Sequence, residues 1–137
     1  MRPLDAPDAA QIIEMHDRIL EETGGERGVL SRSAIGSAVD RAVHGPFPRA
    51  PTLALRAAML LRGICQDHPF ADGNKRTSYE AAASLLRRNG WRLRASDAAA
   101  TRFLLDVAQG HRSVAAIADW LAAHAEPLRG DGTKEGP

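Results

Sequence analysis

The run His68-Pro69-Phe70-Ala71-Asp72-Gly73-Asn74-Lys75-Arg76-Thr77 gathers into one short turn the groups that phosphate chemistry requires. It supplies an imidazole, a carboxylate, a glycine-asparagine bend and two adjacent cations, and it opens onto a stretch with helical periodicity. The first N–H groups of a helix have no internal partners and carry the positive end of its dipole, so a glycine turn entering a helix is a natural phosphate seat. Gly73 and Asn74 can bend the backbone there, and Asn tolerates the left-handed conformation that aims successive N–H groups at an anion. Lys75 adds a compact ammonium and Arg76 a planar fork able to grip two phosphate oxygens.

Asp72 has two readings. It suits Mg²⁺, which takes one or two carboxylates plus the substrate's phosphates and keeps most of its waters. It also suits a helix N-cap, and taken alone Asp before a helix reads more readily as that. His68, with an ordinary pKa of about 6.5, can take a proton from an attacking hydroxyl near neutral pH. Phe70 reads as the apolar anchor of the turn, and Pro69 limits its freedom. A zinc site at His68 and Asp72 is disfavoured, because no matching His or Cys stands at ligand spacing and Lys75-Arg76 would repel the metal.

The elements that must position this turn read as helices. Aromatics are only 4% of the 137 residues against 44% hydrophobic, so the core is built from Ala, Leu, Ile and Val. Ile12, Met15, His16 and Ile19 follow the i, i+3, i+4, i+7 rule and predict a first helix over 6–22, stopped by Gly24-Gly25. Ser31 or Ser33 caps a second helix with Ile35, Val39 and Val43, and 44–51 is a proline-rich loop. Thr52 caps a central third helix with Leu53, Ala57, Leu60, Leu61 and Ile64 on one face. After the motif, Tyr79, Ala82, Ala83 and Leu86 repeat the spacing until Asn89-Gly90. Trp91-Arg92-Leu93-Arg94 reads as an extended connector. Ser96 and Ser113 cap two further helices, the first ended by Gly110. The expected fold is all-α: a compact bundle of about six helices over residues 1–126, the motif loop between two central helices, and a flexible tail over 127–137.

Charge and composition exclude several classes. A net charge of +1 gives no broad footprint for nucleic acid or an anionic membrane, so an anion site must be local. The Arg87, Arg88, Arg92 and Arg94 cluster reads as a solvated helix end favoured by the dipole. Of the 18 basic residues all but Lys75 and Lys134 are arginine, which marks Lys75 as the single lysine of the folded body. Cys65 sits in an apolar run and reads as a buried, inert thiol suited to a reducing cytosol. Neither an apolar leader nor a membrane-length run is present, so a cytoplasmic protein is expected. His16, His44, His111 and His124 have no motif context.

The motif resembles the signature of the Fic/Doc family, approximately His-x-Phe-x-Asp/Glu-Gly-Asn followed by basic residues. Members that transfer AMP to proteins usually carry Gly-Arg after the Asn and a second Arg three residues later; here those positions hold Lys75-Arg76 and Tyr79. The Asn-Lys-Arg-Thr form and the helical reading resemble the Doc (death on curing) toxin branch. His16-Asp17, Gly24-Gly25 with Gly28, and Leu85-Leu86-Arg87-Arg88-Asn89-Gly90 are similar to its layout. The resemblance implies a toxin that transfers the ATP γ-phosphate to a hydroxyl of a translation factor, elongation factor Tu, and that a partner antitoxin neutralises. It implies ATP and Mg²⁺ as cofactors, His68 as general base, Asp72 as Mg²⁺ ligand, and Gly73, Asn74, Lys75 and Arg76 at the nucleotide phosphates. The alternatives are a Fic-type AMP transferase using the same turn and a module that binds a nucleotide or partner without catalysis.

Overall fold

The computed structural model describes residues 3–128 and 136–137. Six helices account for most of the chain: α1 (Ala9–Thr23), α2 (Arg32–His44), α3 (Leu53–Asp67), α4 (Asn74–Arg88), α5 (Asp97–Ala108) and α6 (Val114–Ala123). The all-α expectation holds, with the motif loop joining α3 to α4.

Most of the helices begin where a side chain meets an orphan N–H. Thr52, Ser96 and Ser113 accept from Leu55, Ala99 and Ala116 at 3.1 Å each, as their positions predict. Of the two serines before α2, it is Ser31 that accepts from Ala34. The first helix starts three residues later than its apolar spacing suggests. Asp8 and Gln11 form a reciprocal capping box, Gln11 N–H to Asp8 at 2.8 Å and Asp8 N–H to the Gln11 side chain at 2.9 Å. Such caps stabilise a helix by about 1 kcal/mol each.

The central helix is α3. Ala54, Leu55, Ala57, Ala58, Leu60, Leu61, Ile64 and Cys65 are all buried, because α2, α4, α5 and α6 surround it. Fully burying a leucine contributes about 1.5–3 kcal/mol, so Leu55, Leu60 and Leu61 alone make α3 the principal apolar contributor to the fold. Burial pushes the Cys65 thiol up, although hydrogen bonding from Ser78 and the charge of Lys75 act the other way. Trp120 stacks against Phe103, at 3.9 Å, and against His124, at 3.8 Å.

Trp91–Leu93 is more than a connector. It forms β1, antiparallel to β2 (Ala125–Pro127), in a two-stranded sheet with Trp91 opposite Pro127, Arg92 opposite Glu126 and Leu93 opposite Ala125. The first residue assigned to the tail, Pro127, is therefore paired, and Leu128 N–H continues to Gly90 C=O at 3.0 Å. Residues 129–135 of the expected tail lie outside the described residues. No described helix is long and apolar enough to cross a membrane.

Arg92 and Arg94 both donate to Glu126 across this sheet. The Arg92 hydrogen bond, with help from Arg94 and both charges, holds the Glu126 carboxyl below the usual carboxylate range against the opposing effect of desolvation. A carboxyl with a depressed folded pKa stabilises the fold fully above its unfolded value, about 4.3, and loses that contribution as pH falls through the folded value. Glu126→Gln should therefore be less stable than wild type near neutral pH, with the difference shrinking as pH falls below about 4.3. Urea unfolding of both proteins across that range checks this.

Candidate active site

The site begins where α3 ends. His68 is its C-cap and takes the left-handed conformation, φ 49° and ψ 57°, the one non-glycine residue at positive φ among those described. That conformation costs an L-residue about 1–2 kcal/mol, and here it turns the chain sharply out of α3. The imidazole is left exposed beside the turn.

Phe70 then plunges back into the core, at 1% exposure. Three neighbours hold it. The Asn74 side chain closes a ring with its peptide groups, accepting from Phe70 N–H at 3.0 Å and donating to Phe70 C=O at 2.9 Å. The His16 ring from α1 stacks on the phenyl ring, 3.9 Å between centroids and 7° from parallel. Val29 faces Phe70 as an isolated antiparallel rung, flanked by Leu30 N–H to Pro69 C=O at 2.7 Å and Ala71 N–H to Gly28 C=O at 3.0 Å. The segment after α1 thus runs alongside the motif turn.

Asp72 is exposed, and its carboxylate is oriented by backbone donors: Glu26 N–H at 3.2 Å on one oxygen and Gly73 N–H at 2.9 Å on the other. These two bonds, Glu26 first, hold the carboxyl below its ordinary range against desolvation, with smaller help from Lys75 and His16 charge. The side chain does not reach the second or third N–H of α4, so the N-cap reading of Asp72 fails. Gly25 explains how the backbone comes so close: at φ +123°, a Cβ built on it would stand 2.8 Å from Asp72 Oδ2.

The N-cap of α4 is Gly73 itself, left-handed at φ 77°, and no side chain caps the helix, unlike α1, α2, α3, α5 and α6. The first bond closing α4 is Thr77 N–H to Gly73 C=O at 3.0 Å. The N–H groups of Asn74, Lys75 and Arg76 therefore head the helix, with the exposed Lys75 and Arg76 side chains beside them. A cleft of about 480 Å³ continues from Lys75 and Arg76 along Tyr79, Asp97, Thr101 and Leu104. A second cleft of similar volume, walled by Phe103, Arg112 and Trp120, touches no motif residue.

The chemistry of this arrangement is directed at anions. It presents a helix terminus open to a phosphate, two cations, one ionised carboxylate and one exposed imidazole on a single turn. The donor set is compatible with Mg²⁺ carried by a phosphate ligand, because Asp72 keeps lone pairs beyond its two N–H bonds. All six residues singled out in the sequence lie here. They divide, however: the Asn74 amide is committed to Phe70, leaving its N–H to face an anion, whereas His68, Lys75 and Arg76 point to solvent. Sequence reasoning assigned no role to His16. Its signal was a histidine on the apolar face of α1 among Ile12, Met15 and Ile19.

Residues 6–86, more than half of the chain, match the Fic/DOC family, and the chain belongs to it. Toxin Doc of Mycolicibacterium smegmatis is 39% identical over 75 residues, which cover 53% of this chain and 57% of that protein. The chain therefore spans little more than half the length of that curated relative.

The pair of hydrogen bonds between Asn74 and Phe70 yields a direct test. Asn74→Ala leaves a buried peptide N–H and C=O unpaired, which costs about 1–3 kcal/mol for each unsatisfied group. Urea unfolding should show a loss of that order.

Proposed function

We propose that this protein is a Doc-like toxin that transfers the γ-phosphate of ATP to a Thr or Ser hydroxyl of a translation factor, elongation factor Tu being the expected substrate. A partner antitoxin would hold it in check. The observation that carries this reading is the uncapped start of α4, with Lys75 and Arg76 at the same turn as exposed His68 and oriented Asp72. Further support comes from Lys75 standing where AMP-transferring relatives usually carry glycine, and from the likeness to Toxin Doc.

In this mechanism His68 takes the proton of the acceptor hydroxyl as its oxygen bonds to the γ-phosphorus. The bond from that phosphorus to the β–γ bridging oxygen breaks, and ADP leaves. Phosphoryl transfer asks little covalent work of the protein; positioning and charge neutralisation dominate. The N–H groups of Asn74, Lys75 and Arg76 and the two cationic side chains meet the charge on the phosphates. Mg²⁺ bound with the nucleotide at Asp72 would neutralise phosphate charge. Tyr79 and Leu104 wall the cleft available to the rest of the nucleotide.

Incubating the protein and elongation factor Tu with ATP labelled at either the γ or the α phosphate separates phosphoryl from AMP transfer. Label should reach the acceptor from the γ position; label from the α position would sink the kinase reading. His68→Ala should lower the transfer rate about 10²- to 10⁴-fold, the usual contribution of a general base, and relieve growth inhibition. Unchanged inhibition by that variant would point to a module that binds without catalysis.

A further inference from the structure

His16 is the one histidine buried in the described chain, at 1% exposure, and the proposed chemistry makes no use of it. It comes from α1, 56 residues before the group it binds, yet two contacts bring it against the motif turn. Its ring lies flat on Phe70. Its Nε2 stands 2.9 Å from the carbonyl oxygen of Asp72, and because that partner can only accept, Nε2 carries the proton and donates. A Cβ built on Gly73 would come within 3.7 Å of its Cδ2. Its other nitrogen, Nδ1, lies 3.1 Å from the Asp17 carboxylate on the solvent side, and because a carboxylate also only accepts, a hydrogen bond there requires the ring to carry its second proton.

The bond to Asp72 has a particular geometry. The peptide joining Asp72 to Gly73 is held at both ends: its C=O by His16 and its N–H by Asp72 Oδ1 at 2.9 Å. A glycine at φ 77° offers little resistance to rotation of the peptide before it. Rotating that peptide would break both bonds, swing the Asp72 carboxylate off its N–H donor and change how the start of α4 is presented. A purely apolar side chain would fill the same volume without fixing the plane, and burying an imidazole without bonds would be costly.

We infer that His16 is a positioning residue of this site: by donating to the Asp72 carbonyl it locks the Asp72–Gly73 peptide plane, and with it the Asp72 carboxylate and the first N–H groups of α4, in the orientation that receives a metal-bound nucleotide. The inference rests on the Mg-ATP reading of the turn. It works through Asp72 and the backbone, without contact to the reacting atoms.

Two variants separate the hydrogen bond from simple packing. His16→Gln places an amide donor near the position of Nε2, and His16→Leu fills similar space with no donor. In titration calorimetry with Mg-ATP, His16→Leu should bind about 10- to 100-fold more weakly, the range for residues that orient a metal ligand from behind. His16→Gln should stay close to wild type. Without any nucleotide, amide hydrogen exchange at Gly73 to Arg76 should be faster in His16→Leu than in wild type and largely restored in His16→Gln. If His16→Leu fails to fold, His16→Asn, whose amide ends short of the Asp72 carbonyl, takes its place in both measurements. Equal behaviour of the donor-bearing and donor-less variants in exchange would overturn the inference, leaving His16 a packing residue. If wild type binds no Mg-ATP, the functional reading falls, and the exchange comparison alone decides whether His16 fixes the turn.

Discussion

The attachment of Phe70 to the core is the constraint from which the rest of the site follows. A loop of polar residues between two helices has no reason of its own to adopt one shape, since water would satisfy its backbone equally well. Burying one phenyl ring ties the loop to the protein interior, but burial alone would strand the Phe70 peptide groups in a low-dielectric setting. The Asn74 side chain removes that cost by serving as partner to both. With Phe70 fixed, Pro69 and Ala71 lie where the 28–31 segment can bond them, and the ends of the turn, His68 and Gly73, are forced into left-handed conformations.

The motif thereby separates into residues that hold and residues that face the solvent. Phe70, Asn74 and, from α1, His16 are buried or have their polar atoms taken by the loop. His68, Asp72, Lys75 and Arg76 are exposed. The same division suits a protein with a net charge of only +1, because attraction for an anion comes from a few groups brought together rather than from the surface as a whole. The uncapped helix adds partial charge at the same point without adding an ionisable residue.

Much of this was legible in the sequence, and the exceptions share a cause. Apolar spacing placed the helices, and Thr52, Ser96 and Ser113 marked three of their starts, because caps and amphipathic faces are local features. The motif likewise reads locally, as ten consecutive residues. The Asp8–Gln11 box at the start of α1 was local too, but the apolar stripe drew attention past it. What spacing does not carry is the direction of a side chain or the identity of a distant partner. Asn74 has the right chemistry to bend a phosphate loop, and nothing in the run shows its amide turned back on Phe70. Asp72 looked like a cap, whereas its partner is the backbone of Glu26, 46 residues earlier. His16 sits at a core position of α1, where a histidine is hard to tell from a packing residue. β1 and β2 are three residues each, with partners more than thirty residues apart, too short for alternation to register.

The bare start of α4 ties the protein's stability to its occupancy. Five helices carry their own caps, each worth about 1 kcal/mol, and the sixth forgoes that contribution at the point where its dipole is most exposed. Any anion seated there supplies the missing acceptor, so it takes part in the folding equilibrium as well as in chemistry, and binding it selectively stabilises the native state by mass action. The chain is in this sense thermodynamically incomplete on its own. An anion seated there would serve as the final element of its secondary structure.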